Sequence, residues 1–400
     1  MHLRLTIALT LSFTCFYSAV RPCAVQADRI QLHKSSSDAA DTPKELIGEI
    51  LVEAQDGGVL FLRDDGQLMI LQPSDIAGKV KESDPPPPIS QKAFSKQLLE
   101  ELPEGFKIHK TKHYLVAYET EKAYAKWIGN LYEGKLTRKF KLFWKKSKFR
   151  IKAKEPEFPL VAIVFSNKTS FTAWVQRELG QPPGDTLAYY NLMTNRVAMY
   201  DLTADRRNAD NKKRAFEEIL QDPRSIRMVS TIIHEGTHQL MFNTGLQTRL
   251  ADTPYWLNEG IAMFFETPDF KKKQGWNGPG KTNFDRLTDI LRYAKDRPAD
   301  SLETLITSDK RLQAGGLVSA YAYAESWAMI HFLINQKPEK FTAYLKHLAE
   351  KKRDVIVDPN FETNRPKARI NDFKKYFGED LSKLDAEFLV YVKTLKYPPR

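Results

Sequence analysis

The texture of the chain changes at Asp201, and this change restricts the fold more than any other feature. Before it lie short apolar runs separated by turn signals, and from about Phe106 a mixed stretch of strands and short helices. After it almost every stretch has helical spacing, through "YAYAESWAMIHFLINQ" and "EKFTAYLKHLAEKK". Strands first and helices afterwards argue for an α+β fold. With 42% hydrophobic and 28% charged residues in 400, the chain can build a real core, and its length gives room for two or three units.

The first 27 residues read as a secretory signal peptide. Arg4 supplies the positive start, Leu5 to Val20 the apolar stretch, and Val25-Gln26-Ala27 the small-residue cleavage site. The stretch is shorter than the roughly 20 residues a membrane span needs, which favours a cleaved leader over an anchor. No later run approaches that length, so no transmembrane segment is expected after it. Both cysteines, Cys15 and Cys23, fall inside the leader. The remainder has no disulfide, thiolate metal ligand or thiol nucleophile, and export then relies on a core of adequate size. The expected location is periplasmic or extracellular. The formal charge is +11, or +9 without Arg4 and Arg21. For an exported protein that favours anionic cell-envelope polymers or lipid headgroups as contacts, and nucleic acid is not expected.

Residues 28–44 are polar and read as a flexible leader. Over 45–78, Ile50-Val52, Val59-Leu62 and Leu68-Leu71 are apolar runs separated by Asp56-Gly57-Gly58 and Asp64-Asp65-Gly66. Those are hairpin signals, so a small β domain is expected there. Four prolines, Pro85 to Pro88, stiffen a linker over 79–95. The main domain then runs over 96–350, with a helical extension of the same domain at 351–400. Within it "KIHKTKHYLVAYET" reads as a strand, "KAYAKWIGNLYEGK" as a helix, "FPLVAIVFSN" as a buried strand and "SFTAWVQREL" as a short helix. "TLAYYNLMTNRVAMYD" reads as a hairpin turning near Thr194-Asn195.

Lys135 to Lys154 holds ten Lys or Arg residues interleaved with Phe and Trp. Such a segment can grip an anionic polymer. The plainer reading, which we favour, is a charged helix end running into a loop and strand with its aromatics packed inward.

"STIIHEGTHQLMFNTG" carries the chemistry. His234 and His238 are four apart, so on a helix they rise on one face a turn from each other. Asp222-Pro223 is a helix-start signal, and Ile226, Val229, Ile233 and Leu240 continue an apolar stripe. Two imidazoles at this spacing can share a tetrahedral Zn2+, with Glu235 beside them to hold the attacking water. A metzincin continuation would need Gly at 241 and His at 244, where the chain has Met241 and Thr244; the next histidine is His331. A carboxylate is the natural third ligand. "DTPYWLNEGIAMFFE" offers Glu259, one turn into a helix begun by Thr253-Pro254, with Asp252, Glu266 and Asp269 as rivals. Glu259 ranks first because Gly260 and Ala262 beside it let its helix approach the histidine helix closely.

"HEGTH" followed by "WLNEGIA" resembles the gluzincin branch of zinc metallopeptidases, in the peptidase MA-like superfamily. It is especially similar to exported bacterial members of uncharacterised function. The resemblance covers roughly Phe106 to Leu348. It implies a zincin-like domain with one Zn2+ held by His234, His238 and Glu259, and Glu235 as the base. It also implies that "YAYAESWAMIHFL" is a downstream helix whose tyrosine steadies the oxyanion, Tyr323 first and Tyr321 second. The sequence departs from thermolysin-like members one turn after the glutamate ligand, where Met263 stands in place of an aspartate. The partner that orients the ligand histidines is therefore unassigned at this level.

The expected activity is hydrolysis of peptide bonds in a peptide or protein substrate. Glu235 takes a proton from the attacking water and passes it to the leaving amine. The hairpin before the histidine helix is the expected docking edge for an extended substrate, by analogy with zincins. Two other readings stand beside this one. One is a non-catalytic envelope-binding protein that uses 135–154; the other is a metal site kept as scaffold, which would have no need of Glu235.

Overall fold

The computed structural model describes residues 27–33, 45–81, 86–146, 148–182, 184–204, 219, 222, 225–267, 269, 276–353 and 360–397. The signal-peptide stretch before Ala27 lies outside the described residues. The protein is α+β, with two sheets followed by a helical body.

The first sheet is antiparallel and five-stranded. Its strands β1 (Asp28–Leu32), β2 (Glu45–Glu53), β3 (Val59–Arg63), β4 (Leu68–Leu71) and β5 (Ile76–Val80) lie in the order β4-β3-β2-β1-β5. Ile30, Leu46, Ile50, Val59, Phe61 and Leu71 form its core. Two expected boundaries move. Residues 28–32 are not a flexible leader: β1 sits between β2 and β5, Ile30 is fully buried, and Asp28 Oδ2 accepts the Ile50 amide at 2.7 Å. A single buried apolar residue between polar neighbours gives too little period-2 signal to read as a strand. The proposed linker 79–95 is shortened at both ends, by β5 running to Val80 and by helix α1 (Gln91–Glu101).

The second sheet contains β6 (Lys107–Lys110), β7 (Tyr114–Tyr118), β8 (Leu160–Phe165), β9 (Ala188–Asn191) and β10 (Arg196–Tyr200), ordered β6-β7-β8-β10-β9. The three inner strands are parallel and the two edges antiparallel. β8 is buried along its whole length, as a strand covered on both faces must be. Alternation sorts its neighbours. Leu115, Ala117, Val161 and Ile163 face α1 and α4 (Lys168–Leu179); Val116, Ala162, Val164 and Met199 face the main core. The stretch expected as one strand over 107–120 is a hairpin, β6 with β7.

The first sheet is fastened to the turn between β9 and β10. The Leu68 amide donates to Met193 O at 2.7 Å, and Arg249 bridges Gly66 O (2.8 Å) and Leu192 O (3.1 Å).

The basic segment does not run from a helix end into a strand. Helix α2 (Lys122–Gly129) passes through a π-helical stretch, Asn130–Thr137, into α3 (Arg138–Lys145), and residues 150–156 have no regular structure. Its rings do point inward: Phe140, Phe143, Trp144 and Phe149 belong to the main core.

Helices α5 (Ser225–Asn243), α6 (Tyr255–Glu266), α7 (Phe284–Tyr293), α8 (Ser301–Thr307), α9 (Lys310–Gln313), α10 (Gly316–Gln336), α11 (Pro338–Ala349), α12 (Phe361–Phe377) and α13 (Leu381–Thr394) complete the body. Phe373, Phe377, Phe388 and Val392 from the last two are part of the main core. Pro223, expected at the start of α5, and the side chain of Ile226 lie outside the described residues. No helix among the described residues is long and apolar enough to cross a membrane.

Candidate metal centre

Helix α5 carries His234 and His238 on one face, and α6 brings Glu259 to meet them. His234 Nε2 and His238 Nε2 are 3.0 Å apart. Glu259 Oε2 lies 3.2 Å from His234 Nε2, and Glu259 Oε1 lies 3.4 Å from His238 Nε2. A tetrahedral ion with bonds of about 2.0–2.2 Å separates its donors by about 3.4 Å. The three side chains present that triangle and can hold a metal ion.

The close packing that brings them together has a different origin from the one expected. Gly260 does not face α5. A Cβ there would lie 2.5 Å from Ile330 Cγ1 and 2.7 Å from Ser326 O, so this glycine lets α6 press against α10. On the histidine helix the close approach is at Gly236, where a Cβ would meet Tyr132 Cε1 at 2.6 Å and Leu136 Cδ2 at 2.7 Å. Both belong to the π-helical stretch, and Tyr132 Oη donates to Ile232 O at 3.0 Å. Gly236 and Gly260 thus seat α5 and α6 against separate neighbours.

The three acidic rivals for the third ligand lie outside the metal-binding group. Glu266, two turns along α6 from Glu259, puts Oε2 at 2.5 Å from His234 Nδ1. That contact fixes which ring nitrogen is left to face the triangle, and it supplies the histidine partner that Met263 could not. Asp252 accepts Arg369 Nε and Nη2 at 2.9 and 2.8 Å. Asp269 is buried but outside the metal-binding group.

Glu235 follows His234 and points into the adjoining cleft, where Oε2 accepts the Tyr190 amide at 2.8 Å. Tyr190 is on β9, the edge strand of the second sheet, so the carboxylate is aimed by sheet as well as helix. Burial pushes the Glu235 carboxyl up, against the pull of His234 and His238. Burial acts on Glu259 in the same sense, yet the two histidines outweigh it and hold that carboxyl well below the usual range. Burial lowers His234, but Glu266 and Glu259 more than offset it and raise the imidazole. The centre therefore favours bound positive charge.

Tyr323 of α10 lines the same cleft. Its hydroxyl is 3.5 Å from that of Tyr255, a residue one turn before Glu259 that was not singled out in the sequence. Burial, then the Glu259 charge, pushes Tyr323 up to about 12; for Tyr255 the Glu259 charge is the largest cause of a still greater rise. Both hydroxyls stay protonated and able to donate. Tyr321 instead stacks on Tyr293, with centroids 4.8 Å apart. The cleft has a volume of about 1360 Å³ and is bounded by β9, α5, α6, the first turn of α7 and Tyr323.

A family model described as a protein of unknown function (DUF1570) matches residues 228–353. That span contains His234, Glu235, His238, Glu259, Glu266 and Tyr323, and leaves both sheets outside. No curated protein matches the chain.

Proposed function

We propose that the protein is a zinc metallopeptidase of gluzincin type, its second sheet and helical body forming a zincin-like domain that acts after export. The observation that carries this reading is the donor triangle of His234, His238 and Glu259 with the Glu235 carboxylate beside it, in an open cleft flanked by a sheet edge. Two imidazoles and a carboxylate suit zinc, and when bound it supplies a Lewis acid that polarises the scissile carbonyl. Glu235 removes a proton from the attacking water and delivers it to the leaving amine, so one proton moves per bond cleaved. Tyr255 and Tyr323 offer hydroxyl donors where the carbonyl oxygen gains charge. Among the described residues β9 has a neighbour strand on one side only, and it can receive an extended substrate along the other.

A structural metal site would leave Glu235 without a purpose. Envelope binding through 135–154 would lack its aromatic platform, because Phe140, Phe143 and Trp144 are buried. Digestion of a broad peptide library by wild type and Glu235→Gln tests the reading. Wild type cleaves, and Glu235→Gln loses about 10²-fold or more of the rate while keeping its zinc. Equal cleavage by the two proteins removes Glu235 from the chemistry.

A further inference from the structure

Arg286, in the first turn of α7, lines the cleft with its guanidinium carbon 5.5 Å from the centroid of the Tyr323 ring. It is half-buried, and among the described residues it has no carboxylate at ion-pair distance. Half-buried Arg249 and Arg353 spend their donors on backbone carbonyls, and three further arginines of the helical body are paired with carboxylates. Arg297 holds Glu325 and Asp385, Arg311 holds Glu325, and Arg369 holds Asp252 and Asp309. Asp285 and Asp185, also on the cleft wall, are exposed and retain their hydration. A partly desolvated guanidinium is costly without an anion, and its planar fork fits a carboxylate.

Its position adds a constraint. Tyr323 separates Arg286 from Tyr255, and Tyr255 stands one helical turn from Glu259 on α6. Arg286 and Glu259 line one cleft, so an anion on Arg286 belongs to the same bound peptide as the scissile bond.

We propose that Arg286 is a specificity residue that receives a substrate carboxylate, so that the cleft selects peptides carrying one. This rests on the peptidase reading for the bond that is cut, but not for the recognition itself. The carboxylate is either the free C-terminus, which makes the enzyme a carboxypeptidase, or an Asp or Glu side chain, which makes it an endopeptidase with acidic preference.

The test is fluorescence anisotropy of labelled pentapeptides on zinc-loaded Glu235→Gln protein, which binds without turning over. Two pairs are compared: a free against an amidated C-terminus, and an internal Glu against Gln. The expected result is binding tighter by about 10-fold or more for the acid member of one pair, with the ratio falling to about 1 when Arg286→Gln is added. Arg286→Met, which keeps the aliphatic packing on Tyr323, gives the same reading should the glutamine variant unfold. A preference in the first pair assigns the C-terminal carboxylate, and in the second the side chain. No preference in either pair, or a preference that survives loss of the guanidinium, overturns the proposal. The library digest is scored separately. Carboxylate preference with no cleavage of any peptide removes the peptidase reading and keeps Arg286 as an anion site; cleavage without preference does the reverse.

Discussion

Glu266 Oε2 lies 2.5 Å from Nδ1 of His234, so the carboxylate two turns beyond Glu259 orients a histidine from outside the His234, His238 and Glu259 group that can hold a metal ion. Such partners fix ring orientation and raise ligand basicity. Glu266→Gln is expected to weaken zinc binding by about 10- to 100-fold, measured by competition with a chromophoric chelator, with the fold unchanged by circular dichroism. Unaltered affinity would make the contact incidental.

Gly260→Ala should disturb the site without touching a ligand. Its Cβ would press on Ile330 Cγ1 and on the Ser326 carbonyl, and the backbone atom cannot yield. Overpacking of this kind costs about 1–3 kcal/mol, and any separation of α6 from α10 carries Glu259 and Tyr323 apart. Urea denaturation measures the first effect, and zinc affinity the second.

Arg369 is buried between Asp252 and Asp309, and Asp309 Oδ1 also accepts the Tyr255 amide at 3.1 Å. The network thereby holds the N-terminus of α6, where a negative charge also suits the helix dipole. Arg369→Ala leaves Asp309 without its guanidinium and Asp252 with Lys351 alone at 3.5 Å, and is expected to cost about 3 kcal/mol, read as a lowered urea midpoint.

His331 should make the fold sensitive to acid. It is buried in α10, with Nδ1 2.7 Å from the Tyr391 hydroxyl of α13. Burial, and then the Lys148 ammonium, lower its pKa from 6.5 to about 4. Below the unfolded value the unfolded chain binds a proton that the native state refuses, so this contribution is complete above pH about 6.5 and is lost as pH falls towards 4. At full extent it amounts to roughly 3 kcal/mol. Stability measured against pH should fall in that window, and His331→Asn should flatten the fall.

How much of this was legible in the sequence depended on whether the signal was local. The i, i+4 histidines, the hairpin before them and the fully apolar β8 each follow from a period within one element. β1 was missed because Asp28–Leu32 is a strand only by virtue of two neighbours that arrive later in the chain. Gly260 was recognised as a close-approach residue but given the wrong partner, since a residue 100° from Glu259 around the helix turns to α10. The sequence offers Glu266 as a rival ligand; only the tertiary crossing shows that it reaches His234 Nδ1. Tyr255 and Arg286 carry no motif at all, and they become site residues only when α6, α7 and α10 converge on one cleft.

The three-ligand centre is tested most directly by adding zinc to chelator-stripped protein and reading bound metal by mass spectrometry. One zinc per chain is expected in wild type and in Glu235→Gln, and none retained through gel filtration in His238→Ala or Glu259→Ala. Wild type that retains no zinc, or Glu259→Ala that retains as much as wild type, would contradict it.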